Sequence, residues 1–412
     1  MLLRLLPVTF ALTCAFQSAV AQTVTPDTIS PKSTPAVTTS AVHSPSKWYE
    51  KLSLRGYAQF RYNRLLETNP DLKCEQCDKS IGKGQSFSFR RARLVLSGDV
   101  HDRFFVYIQF DYSADASSSS KHFLQVRDAY FDYAFDKKKE FRVRFGQSKV
   151  PFGFENLQSS SNRLPLDRSD ALNSAAPNER DFGAFFLYSP AKIRKIHRDL
   201  TNDALKGSGD YGMFAFGLYN GQAANKPELN DNLHAVARLS YPIKIGKQII
   251  EPGIQAYTGK YTLDQRSKDV KVVKDLTYLE RRLAASIVLY QQPFGILAEY
   301  NIGESPTFDS KTDSIRVQKL NGGFITASYR SKLGKGFITP YARYQVYDGA
   351  KKLELDARHY DMNELELGVE WQLIKNLEIT MAYVISDRKY SDFITEYAEK
   401  GNFLRIQLQA NY

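Results

Sequence analysis

The sequence is short of the residues that fill soluble cores and active sites. Its 412 residues include 3 cysteines, 4 methionines and 2 tryptophans. After residue 22 no apolar run approaches the roughly 20 residues that a membrane-spanning helix needs, which excludes a helical membrane bundle. There is no Gly-x-Ser-x-Gly, no His-Glu-x-x-His and no phosphate-binding loop, so hydrolase, zinc-peptidase and nucleotide chemistry lack their usual residues. The six histidines are scattered. The chain is expected not to be an enzyme and to need no cofactor and no metal.

What it has instead is 26 Phe and 25 Tyr, spread through short alternating runs, and a formal net charge of +11. A basic chain can bind nucleic acid through one clustered patch. Here the cations recur at alternate positions inside apolar runs, which fits the lining of a lumen and argues against a nucleic-acid partner. The N-terminus reads as a signal peptide over residues 1–21, with one early charge at Arg4, an apolar run and the small-x-small ending Ala19-Val20-Ala21. Cys14 would leave with it. Residues 22–47, rich in Pro, Ser and Thr, have too little apolar surface to fold and are expected to be a disordered periplasmic leader. The folded part is expected over 48–412.

The alternation has the period of a strand. In 51–66, Leu52, Leu54, Ala58, Phe60 and Tyr62 oppose Ser53, Arg55, Gln59, Arg61 and Asn63. In 140–149, Phe141, Val143 and Phe145 oppose Arg142 and Arg144. Strands of about 9–11 residues with an apolar face, a very polar face and aromatic ends suit a transmembrane β-barrel. A wet-faced sandwich also alternates, but it does not require aromatics at strand ends or connections that alternate between short and long. Sixteen such segments can be counted from residue 51 to the C-terminus, so the expected fold is all-β: a transmembrane antiparallel barrel of about 16 strands. Short turns share one rim with both chain ends, which makes that rim periplasmic. Long connections are expected at 67–85, 150–180, 220–231, 262–276, 303–318, 348–359 and 388–400. The basic connection Pro190–Asp210 breaks the rule, being long on the short-turn rim. The chain ends on an amphipathic strand at Tyr412, and a terminal aromatic there resembles the mark read by the outer-membrane assembly machinery.

Several blocks carry a family resemblance: SFRRARLVLSGDV, VRDAYFDYAF, RFGQSKVPFGFE, LDRSDAL, RDFGAFF and GLYNG, in that order. They resemble the successive motifs of the phosphate-selective porin O/P family, over about residues 51–412. The resemblance implies a sixteen-stranded, usually homotrimeric porin of the Gram-negative outer membrane, embedded in lipid, with a third extracellular loop folded inward. It also implies a ladder of lumen arginines and a basic constriction that passes small anions such as phosphate or polyphosphate. On this chain Arg55, Arg61, Arg91, Arg93, Arg142, Arg144 and Arg405 fall on polar strand faces and make the expected basic wall. Lys149, Arg163 and Arg168 belong to the expected constriction loop. Guanidinium groups suit phosphate because their planar forks donate paired hydrogen bonds; they also pair with carboxylates simply to hold a wall in place. Glu364, Glu366, Glu370 and Glu378 make an expected opposing acidic wall. Cys74 and Cys77, a C-x-x-C in the first long connection, could be redox-active or half a zinc site; a small structural disulfide is preferred for an exported protein. Passive diffusion with anion preference is the expected function. A structural or adhesive barrel with a closed lumen is the alternative, and a water path past residues 150–180 separates the two.

Overall fold

Alternating residues point to opposite sides of a pleated strand, so each amphipathic run can bury one face only by pairing sideways with its neighbours. The computed structural model describes residues 47–66, 85–114, 122–176, 179–392 and 395–412. The expected signal peptide, nearly all of the leader, and Cys74 with Cys77 lie outside these residues. Among the described residues the strands form sixteen staves. The first eight are β1 (Leu52–Leu65), β2 (Gln85–His101), β3 (Phe104–Ala114), β4 (His122–Ala134), β5 (Phe141–Lys149), β6 (Arg180–Tyr188), β7 (Phe214–Tyr219) and β8 (His234–Ser240, resumed at Ile243–Ile245). The rest are β9 (Gln248–Thr262), β10 (Thr277–Leu289), β11 (Phe294–Asp309), β12 (Ser314–Tyr329, resumed at Ser331–Leu333), β13 (Gly336–Ala350), β14 (His359–Ile374), β15 (Leu377–Asp392) and β16 (Thr395–Asn411). The break in β8 falls at Pro242, which has no N–H to give the ladder.

Each stave pairs antiparallel with the next, and β16 returns to β1 in the register Tyr57↔Asn411 through Leu65↔Phe403. Closure leaves no free sheet edge. The outward faces carry Phe60, Leu94, Phe110, Phe131, Phe145, Ile254, Ile287, Ile325 and Leu408, all exposed, while the alternate positions are polar and buried. That inversion, oil outside and charge inside, is the arrangement of a barrel whose outer solvent is lipid.

Three of the expected long connections are corrected. At 303–318 the strands run on to Asp309 and resume at Ser314; at 348–359 they run to Ala350 and resume at His359; at 388–400 they run to Asp392 and resume at Thr395. Above the apolar band neither face needs to be oily, so the period-two pattern fades in ESPTFD and SIRVQK. The ladder nevertheless continues, Thr307↔Arg316 and Phe308↔Ile315, held by a cluster of Tyr261, Leu263, Tyr278, Phe308 and Ile315.

The basic connection after β6 is a helix, α3 (Ala191–Asn202), so the strand count stands. Its buried side is Ile193, His197 and Leu200. Leu200 and Leu205 pack with Phe154, Ile249, Val288 and Tyr290. Two shorter helices, α1 (Phe154–Leu157) and α2 (Asp170–Asn173), lie in the connection between β5 and β6.

Candidate functional site: the inward face of the barrel

Polar strand faces turned away from lipid must satisfy one another, because an unpaired buried charge is costly. On β2 and β3, Arg93 donates to the Tyr57 hydroxyl at 2.8 Å and pairs with Asp111 at 2.9 Å. On β5, Arg144 grips Asp132 of β4 through Nε and Nη2, at 2.7 and 2.9 Å. Its guanidinium lies 3.9 Å from the centroid of the Tyr130 ring. Arg142 reaches Asp210 at 2.8 Å, and Arg194 of α3 meets the same carboxylate at 2.9 Å. Burial pushes the Asp210 carboxyl up, but Arg142 and Arg194 outweigh it and hold the group below the usual carboxylate range.

The connection between β5 and β6 is bonded to inward-facing side chains on many staves. Glu299 of β11 accepts the backbone N–H groups of Phe154 at 2.7 Å and Glu155 at 3.1 Å, the unsatisfied donors that open a helix. Gln59 of β1 donates to the Ser160 carbonyl at 2.9 Å. Arg343 of β13 donates to the Asp167 carbonyl at 2.8 Å and pairs with Glu155 at 3.2 Å. Arg282 of β10 and Asn301 of β11 both donate to the Ala171 carbonyl, at 3.2 and 3.1 Å. Phe152 is fully buried and meets Tyr257 of β9 edge-on at 4.8 Å. The segment after α3 joins from the other end: Asn162 donates to the Gly207 carbonyl at 2.8 Å, and Lys206 pairs with Glu370 of β14 at 2.6 Å.

The residues expected from sequence fall into distinct groups. Arg61, Arg405 and the unforeseen Arg90 converge on one carboxylate, Asp167, at 2.9, 2.8 and 3.4 Å. Arg91 is buried, with Nε and Nη1 lacking hydrogen-bond partners among the described residues. Arg163 is likewise buried; one nitrogen makes a long bond to the Leu166 carbonyl, at 3.4 Å. Arg55 is exposed beside the Tyr107 ring at 5.9 Å. Lys149 is committed to the Leu157 and Gln158 carbonyls at 2.8 and 2.7 Å, and Arg168 to Glu179 and to the Gln158 carbonyl. Of the acidic set, Glu364 pairs with Arg388 at 2.9 Å, Glu366 accepts from Tyr341 at 2.7 Å, and Glu378 accepts from Gln409 at 3.3 Å. The strand order corrects the word opposing. β15 pairs with β16 and β14 is one stave further on, so these carboxylates stand on the same side as Arg405 and Arg61, and the staves eight places away from them are β6 and β7.

Arg282 and Arg343 stand outside the set expected from sequence, although each sits at an inward position of an alternating run and is legible there. Lys206 was not legible, since nothing in KGSGDYG predicts that it crosses to β14.

A closed sixteen-stave antiparallel barrel, apolar outside and charged within, is an outer-membrane porin. The family model described as phosphate-selective porin O and P matches residues 70–412, and the chain belongs to that family. Among solved structures, the fold is similar to the outer-membrane channel DcaP of Acinetobacter baumannii, with a TM-score of 0.55 and 14% identity over 88% of this chain and 97% of that one. It is also similar to Salmonella typhi OmpF in its complex with daunomycin, with a TM-score of 0.54 and 14% identity over 89% and 99%. For Pseudomonas putida OprB the TM-score is 0.51, at 9% identity over 88% and 94%. No curated protein matches the sequence.

Proposed function

We propose that the porin passes small polar solutes by passive diffusion with a preference for anions, phosphate and polyphosphate among them, through a constriction formed by residues 150–179. The observation that carries this reading is the imbalance at Asp167. Three guanidinium groups share one carboxylate; Arg163 is close enough to act electrostatically on Asp167, and Arg91 on Arg90. The spot is partly open: the Arg90 and Asp167 side chains are 23% and 17% exposed. An anion arriving there meets net positive charge inside low-dielectric walls, which raises its local concentration. Arg142 and Arg144 are better read as braces, each already paired with a carboxylate. Homotrimeric assembly belongs to the same proposal, on the strength of the family.

A second reading has its own observation. Mid-lumen side chains such as Arg61, Glu280 and Asn301 are almost wholly buried, as a closed structural barrel would require. One experiment separates the two. Single-channel current of the refolded protein is recorded in a planar bilayer under a salt gradient, then titrated with phosphate. An anion-side reversal potential and a phosphate block weakened in Arg90→Glu are expected. A conducting pore without selectivity would remove the anion preference, and a folded barrel without current would establish the closed reading.

A further inference from the structure

The outer wall carries charges that the solute path does not use. On the half of the barrel away from the chain ends, Arg281 of β10, Glu304 of β11 and Lys319 of β12 stand directly across from one another, Arg281↔Glu304 and Glu304↔Lys319. All three point outward. The Arg281 side chain is 58% exposed and pairs with Glu304 at 2.7 Å. Lys319 is exposed and makes no ion pair among the described residues.

Outward tyrosines lie below this row on the same wall, four residues down from Glu304 at Tyr300 and level with Ile325 at Tyr344, so the row stands at or above their level. Tyr300 is exposed on the outer face and donates to Asn321 at 2.9 Å, and Tyr344 donates to Asn363 at 3.1 Å. Outward tyrosines with polar partners are the girdle that sits where hydrocarbon meets headgroups. Charges there are far less costly than a cation at the midplane. Below the row the wall is hollow, a groove of about 900 Å³. Its floor is Ala235, Ala237, Ala256 and Thr258, too small to fill the space between Phe216 and Leu283.

We propose that this groove binds a phosphate-bearing lipid of the outer leaflet. An acyl chain lies over the alanine floor, and the headgroup phosphate sits between Arg281 and Lys319. Two neighbouring strand spacings separate these residues by about 10 Å at the backbone, which two long flexible cations can close around a phosphate or divide between two. Glu304 keeps Arg281 upright without cancelling the row, since one carboxylate faces two cations. The inference is independent of which solute crosses the pore.

The test uses the full-length protein refolded into phosphatidylcholine vesicles with and without a minor fraction of lipid A. Lipid A should raise the thermal unfolding midpoint and remain bound on detergent extraction, as read by native mass spectrometry. Arg281→Gln with Lys319→Gln should weaken retention about tenfold and abolish the shift, while unfolding in pure phosphatidylcholine stays as in the unaltered chain. Lys319→Gln alone serves if the double variant folds poorly, and Lys244→Gln with Lys247→Gln, at the other rim, should change nothing. Equal retention by the double variant would overturn the proposal. So would a shift reproduced by inorganic phosphate alone. Efficient cross-linking between copies through Ala256→Cys, with Cys74 and Cys77 replaced by Ser, would instead make the groove a contact between subunits and overturn it as well.

Discussion

The ring of Tyr412 rests against Gly56. The terminal residue pairs through its backbone with Gly56 in both directions, at 2.7 and 2.9 Å, and its hydroxyl donates to the Arg93 carbonyl at 3.0 Å. The last residue thus stitches β16 to β1 and β2 across the seam. A Cβ at position 56 would lie 2.1 Å from that carbonyl oxygen and 2.5 Å from the Tyr412 ring, so only glycine admits the ring. Gly56→Ala should destabilise closure by about 1–3 kcal/mol through overpacking. Tyr412→Ala should cost about 1–2 kcal/mol through the lost hydrogen bond and ring contact. Both are read from the temperature at which the unheated gel mobility of the folded barrel is lost. Identical midpoints for the variants and the parent chain would remove the seam role.

Asp167 is the one carboxylate shared by Arg61, Arg90 and Arg405. Asp167→Asn keeps the shape and removes the charge, so three guanidinium groups face the passage with no anion among them. The expected outcome is a reversal potential displaced further to the anion side under the same salt gradient, with tighter phosphate block. The same change leaves buried cations without their partner, and breaking such a contact costs about 3–5 kcal/mol, so the melting midpoint should fall. A variant less stable but unchanged in selectivity would make Asp167 a brace and nothing more.

Why the outer wall could be read from sequence and the interior only in part follows from the physics of each. Lipid imposes one rule, an apolar residue at every second position, and Phe141, Val143 and Phe145 obey it without knowledge of any neighbour. The stave count and the closing strand at Tyr412 follow from that rule. The interior obeys no comparable rule, because a guanidinium on an inward face can pair with the adjacent strand, as Arg144 does with Asp132, or with the distant connection after β5, as Arg405 does with Asp167. The alternation that turns the arginine inward is the same in both cases. The strands continue beyond Ile302 for a related reason: outside the bilayer the apolar rule lapses, and only long-range packing of Phe308 with Tyr261 and Tyr278 sustains the ladder. Helix α3 has an apolar side at Ile193, His197 and Leu200, but its basic residues and its place on the short-turn rim concealed it.

Acid should test the anchoring of the segment after α3. The Asp210 carboxyl is held below its ordinary value of about 3.9. A depressed group contributes stability above its unfolded pKa, and that contribution is lost as pH falls through the folded value. Protease sensitivity of residues 190–213 should therefore stay flat from about pH 7 to pH 4 and rise only in stronger acid. In Asp210→Asn, Arg142 and Arg194 have lost the carboxylate at every pH, so cleavage should be fast already at neutrality. Equal cleavage of the parent and the variant at neutral pH would mean that the apolar contacts of Leu200 and Leu205 alone hold the segment.

Glu299 offers the sharpest test of whether residues 150–179 set the size of the passage. Its two oxygens accept the N–H groups of Phe154 and Glu155, and Gln255 donates to the same carboxylate at 2.9 Å. Glu299→Ala leaves two helix-opening donors and one amide without a partner, at about 1–3 kcal/mol for each unsatisfied group. The barrel ladder is untouched, because Glu299 contributes to it only through its backbone pairing with Ser286 and Phe324. The loop should loosen while the staves stay closed. Single-channel conductance should then rise and become noisier, with the folded gel mobility retained. Conductance equal to that of the parent chain would show that the narrowest point lies elsewhere, with the Lys206–Glu370 contact below the loop the next place to cut.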